Sequence, residues 1–350
     1  AYTVCMAGFA TGSLVIGRWV DRFDVTRVLL AASALSALGF TLAALAPSIW
    51  VVIGIHLIIG FGAAAFFGPL MADISHWFLA RRGIAVAITA SGNYIAGAFW
   101  PLILTDVTEA SGWRGAYFVL AVAVPVVVAP LSLVLRRQVP EEAAAVAGSA
   151  ASRRRPAPGL SPRALQVFLM IAGVACCMAM AMPQVHIVAL CVDMGFGPAV
   201  GAEMLSLMLL GGVTSRLISG MLADRLGGVL TLLVGSALQC FALFLYLPAD
   251  RMTSLYLVSA IFGLSQGGIV PAYSIIVREY MPSREAGARV GYVTFATIVG
   301  MAGGGWVSGL IYDWTGNYDL AFVNGIAWNA LNLAIVGMIL WTTTRRAAPA

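Results

Sequence analysis

Long apolar runs separated by short polar intervals organise this chain from end to end. Crossing a bilayer takes about 20 largely apolar residues in a helix. Eleven segments meet that condition, near 1–17, 28–46, 49–73, 84–105, 114–135, 164–192, 198–222, 229–247, 254–277, 287–311 and 320–343. The runs are too long for strands and do not alternate, so helices are predicted and a barrel is excluded. The longest interruption, 136–163, is rich in Ala, Pro, Ser and Arg and reads as a linker. It separates an N-terminal helical bundle, 1–135, from a C-terminal one, 164–350.

The pattern repeats itself. Gly17-Arg-Trp-Val-Asp21-Arg22 closes one span, and Gly220-Met-Leu-Ala-Asp224-Arg225 closes another 203 residues later. Pro69 answers Pro271, Arg81 answers Arg284, and Gly112 with Phe118 answers Gly316 with Phe322, all at nearly the same spacing. Duplication of a helical half in one orientation is a transporter architecture. The expected fold is therefore an all-α membrane protein of two pseudo-symmetric bundles.

Composition agrees, with 61% hydrophobic and 10% charged residues. Water cannot solvate such a surface, so the lipid bilayer is the expected partner and nucleic acid is not. The net charge of +5 comes entirely from arginine, since the chain has no lysine. Seventeen of the 20 basic residues fall in one set of loops; Arg114 and Arg251 lie on the opposite side and Arg216 inside a span. The arginine-rich side is expected to be cytoplasmic. That places Ala1 outside and Ala350 inside the inner (plasma) membrane. An odd number of spans without an initiator Met points to one preceding helix, so the spans are numbered 2 to 12. Cys5, Cys176, Cys177, Cys191 and Cys240 show no metal-site or disulfide spacing and read as apolar filler.

The two Gly-x-x-x-Asp-Arg loops at Gly17–Arg22 and Gly220–Arg225 resemble the hallmark of the major facilitator superfamily. Trp77-Phe-Leu-Ala-Arg81-Arg82-Gly83-Ile-Ala85, Pro183-Gln-Val-His186 through Gly195, and Ser215-Arg216-Leu-Ile-Ser-Gly220 resemble its monocarboxylate-porter-like branch, in bacterial form. The resemblance implies that Asp21 faces Arg289 and Asp224 faces Arg82 as cytoplasmic latches, with Arg22 and Arg225 in the same gates. It also implies that spans 4, 5, 7, 8, 10 and 11 line the cavity. Two departures matter: Gly212 stands where many eukaryotic monocarboxylate porters carry an Asp, and the span-11 lysine of dicarboxylate-exchanging relatives has no counterpart.

Arg216 sits about 9 Å inside the membrane at 1.5 Å per residue from Leu222. A guanidinium there costs at least ~2.5–3.5 kcal/mol on insertion scales. It can grip a carboxylate through two parallel hydrogen bonds; the alternatives are snorkelling to the interface or pairing with Asp224. His186, near the outer end of span 7, can carry a coupled proton or touch substrate. Asn93, Tyr94, Gln266, Tyr273 and Ser274 are further candidate ligands, with His56 and His76 weaker ones. Asn324, Asn329 and Asn332 suit helix–helix hydrogen bonds better. Gly300 to Gly305 lies inside an apolar span without a Lys-Ser/Thr after it, so it is no phosphate loop.

No nucleophile–base set, metal cluster or cofactor motif is visible, which argues against an enzyme. The expected function is secondary transport of a small organic anion, a monocarboxylate moved with a proton by alternating access. The alternatives are a carrier for another metabolite or drug, or a transporter-like membrane sensor. A monomer is the expected state.

Overall fold

The computed structural model describes residues 1–78, 82–136, 160–281 and 286–347. Helices make up nearly all of them. They are α1 (Tyr2–Phe23), α2 (Val25–Ala44), α3 (Ile49–Ala63), α4 (Gly68–Trp77), α5 (Arg82–Val134), α6 (Pro162–Asp193), α7 (Pro198–Leu226), α8 (Gly228–Tyr246), α9 (Met252–Gln266), α10 (Ile269–Tyr280), α11 (Ala286–Thr315) and α12 (Asp319–Ala347). α5 contains two spans joined at Gly112, whose φ of 69° and ψ of 177° break the helical path. Residues 137–159, the bulk of the linker, lie outside the described residues.

Among the described residues nine helices are long and apolar enough to cross a membrane, and Tyr2–Ile16 and Ile84–Trp100 add two shorter apolar ones. These agree with the eleven predicted spans. Large apolar side chains such as Trp50, Phe99, Val126, Phe241 and Trp341 remain exposed. Water would penalise that exterior; hydrocarbon does not.

Local chemistry starts and stops the helices. Ser48 and Ser161 cap α3 and α6 by accepting from Val51 N and Ala164 N, and Pro162 begins α6 where no N–H is needed. α1 and α2 meet at Asp24 (φ 76°), and α7 and α8 meet at Gly227 (φ 90°). These joints are 203 residues apart, so the sequence repeat is also a repeat of backbone shape. Spans 4 and 10, which match in the repeat, are both interrupted. A 3₁₀ turn, Ala64–Phe66, separates α3 from α4, and Gly267-Gly268 separates α9 from α10. Position 64 plus the repeat spacing is 267. Pro69 and Pro271 lie in the first turn after each break, where the ring displaces no hydrogen bond.

Two compact units result: Ala1–Ala80 with Trp100–Ala147, and Arg81–Phe99 with Gly148–Ala350. The first is packed around Ile16, Val28, Leu29, Ala32, Ala64 and Ala65. The second has a larger core that includes Leu169, Met182, Met204, Leu232, Phe262, Tyr273 and Val336. Residues 82–99, expected in the N-terminal bundle, group with the later unit, and their polar ties to α7 explain why.

Candidate functional site

One face of α7 carries Ser206, Leu209, Gly212 and Arg216, spaced three or four residues apart so that they stack along a single stripe. The early part of α5 lies against that stripe in the opposite direction. Ser206 Oγ donates to Ala98 O at 3.1 Å. Leu209 packs with Tyr94 and Ala98. The ring of Tyr94 covers Gly212, where a Cβ would approach Cε2 to 2.7 Å. An acid at position 212 would therefore displace the ring.

Arg216 is 2% exposed and its guanidinium carbon lies 4.0 Å from the centre of the Tyr94 ring. This is a cation–π contact in place of an ion pair. Nε donates to Gly267 O at 2.9 Å, and Nη1 donates to Ala90 O and, at 2.9 Å, to Asn93 Oδ1. The Gly267 carbonyl is reachable only because the helices touch: a Cβ on Gly267 would stand 2.0 Å from Gly212 O. The break after Gln266 thus supplies a backbone acceptor to the buried cation. Arg216 neither snorkels nor relies on Asp224.

Beside this cation lies an amide pair. Gln184 Nε2 donates to Gln266 Oε1, and Gln266 Nε2 is buried with no acceptor. Gln184 also neighbours the Tyr94 hydroxyl. One buried donor without an acceptor, the Gln266 amide, therefore lies next to the cation. A buried donor without a partner costs about 1–3 kcal/mol, which favours any ligand offering acceptors.

The other candidates are placed elsewhere. His186, two residues beyond Gln184, faces a different direction, as residues at i and i+2 on a helix must. Its Nε2 donates to Gly305 O at 2.8 Å and its Nδ1 accepts from the Tyr318 hydroxyl at 3.4 Å. Tyr318 stacks on Tyr312 at 4.5 Å, and burial pushes its phenol up to about 12, with Asp193, Tyr312 and Asp313 adding to the effect. Tyr273 donates to Asn332 Oδ1 at 2.9 Å. Asn332 in turn binds Ser236 Oγ and Asn329, and Asn329 donates to Ser236 O. That network holds α8, α10 and α12 together, as expected for the two asparagines. In the first unit, His56 donates from Nδ1 to Val52 O and accepts from Tyr117.

Among the gating candidates, the side chains of Asp21 and Arg82 lie outside the described residues, as does that of His76. Arg22 is exposed and leans on Phe23 at 5.3 Å; Asp224 and Arg225 are exposed at the end of α7. Arg289 donates to Pro162 O at 3.2 Å, tying α11 to the start of α6. One residue escaped the sequence reading: Glu279 accepts from Gly228 N at 3.0 Å, placing a carboxylate on the positive N-terminus of α8. Its only sequence signal was an acid at the end of a span. Among the described residues there is no His, Cys, Asp and Glu group suited to a metal ion.

A duplicated membrane bundle with interrupted helices at matching places and a buried cation beside one interruption is the build of a secondary transporter. The chain belongs to the Major Facilitator Superfamily, whose family model matches residues 1–250 and 167–350. It is 28% identical over 325 residues to monocarboxylate transporter 13 of Bos taurus, covering 89% of this chain and 73% of that protein. To monocarboxylate transporter 11 of Homo sapiens it is 27% identical over 341 residues, covering 92% and 69%. These relatives are animal proteins and lend no support to a bacterial placement. The crystal structure of the human organic anion transporter MFSD10 superposes with a TM-score of 0.70 at 16% identity, covering 97% of this chain and 82% of that one. The Escherichia coli fucose:proton symporter FucP gives 0.64 at 14% identity, covering 96% and 90%. At those identities the likeness is one of fold.

Proposed function

We propose that this protein carries a small organic monocarboxylate across the membrane by alternating access, together with a proton. The observation that supports this most is Arg216, a buried guanidinium on an aromatic ring at a helix break, with the unpaired Gln266 amide beside it. Tyr94 and Gln266 complete the substrate site with Gln184 beside them, and Asn93 sits on the cation at its edge. Tyr273 serves the packing of its half instead. The names of the animal relatives point to the same substrate class.

His186 is the proposed proton site, because its hydrogen bonds to Gly305 and Tyr318 link it to the outer-end cluster. Asp21 with Arg22 and Asp224 with Arg225 form the cytoplasmic latches, closing onto Arg289 and Arg82 respectively. Arginine placement puts the C-terminus in the cytoplasm of a plasma-membrane protein. Proteoliposomes test the reading. Arg216→Ala should still insert and lose carboxylate uptake, and an unchanged rate would refute the anion reading. Uptake by the wild type should rise when an inward proton gradient is imposed, and His186→Gln should remove that increase.

A further inference from the structure

We propose that Asn93 is a built-in stand-in for the substrate carboxylate, seated on Arg216 when the carrier is empty and displaced when the anion arrives. This rests on the anion reading above and adds how the site is kept when vacant.

The argument is one of donor geometry. A guanidinium has five N–H groups, and a carboxylate gripped by two parallel bonds must span Nη2 with either Nη1 or Nε. Nε is held by Gly267 O, and Nη1 by both Ala90 O and Asn93 Oδ1. These bonds take Nε and Nη1, and none of them takes Nη2. A forked grip on the cation therefore requires one acceptor to leave. Ala90 O is backbone inside α5. Gly267 O is backbone too, at the point where the chain lies so close to α7 that a Cβ on Gly267 would meet Gly212 O at 2.0 Å. Asn93 is the exception, because its amide is an exposed side chain with two free torsions. Rotating it releases Nη1 beside Nη2, and together they present the fork.

The arrangement has a transport rationale. A buried cation without acceptors is costly, so an empty carrier needs something on the guanidinium. Backbone carbonyls alone leave the fork half covered. An amide oxygen carries a partial charge, which is enough to occupy Nη1 and too weak to compete with a full carboxylate. Binding becomes an exchange, tight enough for capture and loose enough for release.

Thermal stabilisation of the purified protein by acetate, propionate and benzoate, with uptake of the same acids into proteoliposomes, tests this. Asn93→Ala should bind more tightly, lowering the half-saturating concentration by about three- to tenfold, up to about 1.4 kcal/mol. Asn93→Asp should tether a carboxylate to the guanidinium, raising the acid-free melting temperature and abolishing stabilisation by the acids. Unchanged or weaker binding in Asn93→Ala overturns the proposal, as does retained binding in Asn93→Asp. If the alanine variant does not fold, the aspartate variant decides. Arg216→Gln separates the two readings. Loss of binding there without tightening in Asn93→Ala sinks the stand-in alone, whereas equal binding in Arg216→Gln, or no acid binding to the wild type, sinks the anion site and this inference with it.

Discussion

A Cβ added to Gly60 would meet Cys5 O at 1.9 Å, and one added to Gly263 would meet Met208 O at 2.3 Å. The two contacts are 203 residues apart at both ends, so α1 against α3 and α7 against α9 are the same close approach made twice. About two turns further along, the halves part. α7 carries Arg216, while the matching position of α1 is Ser13, whose hydroxyl only turns back to Ala10 O. The breaks differ in the same sense: buried Ala64 and Ala65 in the first half, Gly267 and Gly268 in the second. Duplication supplied one scaffold, and polar chemistry was placed on a single copy. Close packing without side chains made room for the cation and its backbone acceptor.

The sharpest way to break this contrast is to treat the matched positions alike. Arg216→Met should reduce anion uptake by about 100-fold, since losing one partner of a buried charged contact costs roughly 2–5 kcal/mol. Ser13→Ala should change uptake by less than about twofold, as a half-buried hydroxyl bonded to its own helix contributes little. Equal effects would mean that the halves share the chemistry after all.

Gly267→Ala gives the second break the residue of the first. Its methyl would press on Gly212 O, so overpacking should cost about 1–3 kcal/mol and push the Gly267 carbonyl away from Arg216. The expected readout is a lower melting temperature together with a weaker half-saturation for substrate. Gly68→Ala, with nothing within 4 Å, is the matched control and should leave substrate binding alone.

The Tyr273 network sharpens the contrast between packing and binding in the second half. Asn332→Ala removes the acceptor of Tyr273 and should cost about 1–2 kcal/mol of stability, measured by thermal melting, with half-saturation unchanged. The smallest effect belongs to the first half. Asp24 adopts a left-handed φ where its counterpart is Gly227. Asp24→Gly should relieve about 0.5–1 kcal/mol of strain, seen as a slightly higher melting temperature without loss of uptake.

Span number, spacing and the repeat were legible in the sequence because each rests on many residues at once. The helix breaks were not, since 49–73 and 254–277 read as unbroken apolar runs. The signal was present in Gly267-Gly268 and in the paired Pro69 and Pro271, which end up in the first turn after each break. Missing the break also misled the phase of the span. Gln266 and Tyr273 are seven apart and would share a face on a continuous helix. The interruption rotates one against the other, so Gln266 meets Gln184 and Tyr273 meets Asn332. Arg216 was found because a charge inside an apolar span is conspicuous. Two of its three acceptors were not, because Ala90 and Gly267 act through backbone oxygen, which no pattern of side chains reveals.

The bond from Arg216 to Ala90 O joins residues 126 positions apart, and this has a consequence for biogenesis. Translation proceeds at about 5–20 residues per second, so the start of α5 enters the bilayer roughly 6–25 s before its cationic partner has been synthesised. Throughout that interval Asn93 must be tolerated by lipid or by the translocation machinery. Ribosome-stalled chains ending before residue 198 should therefore hold this segment loosely, open to cross-linking, and chains extended past residue 267 should protect it.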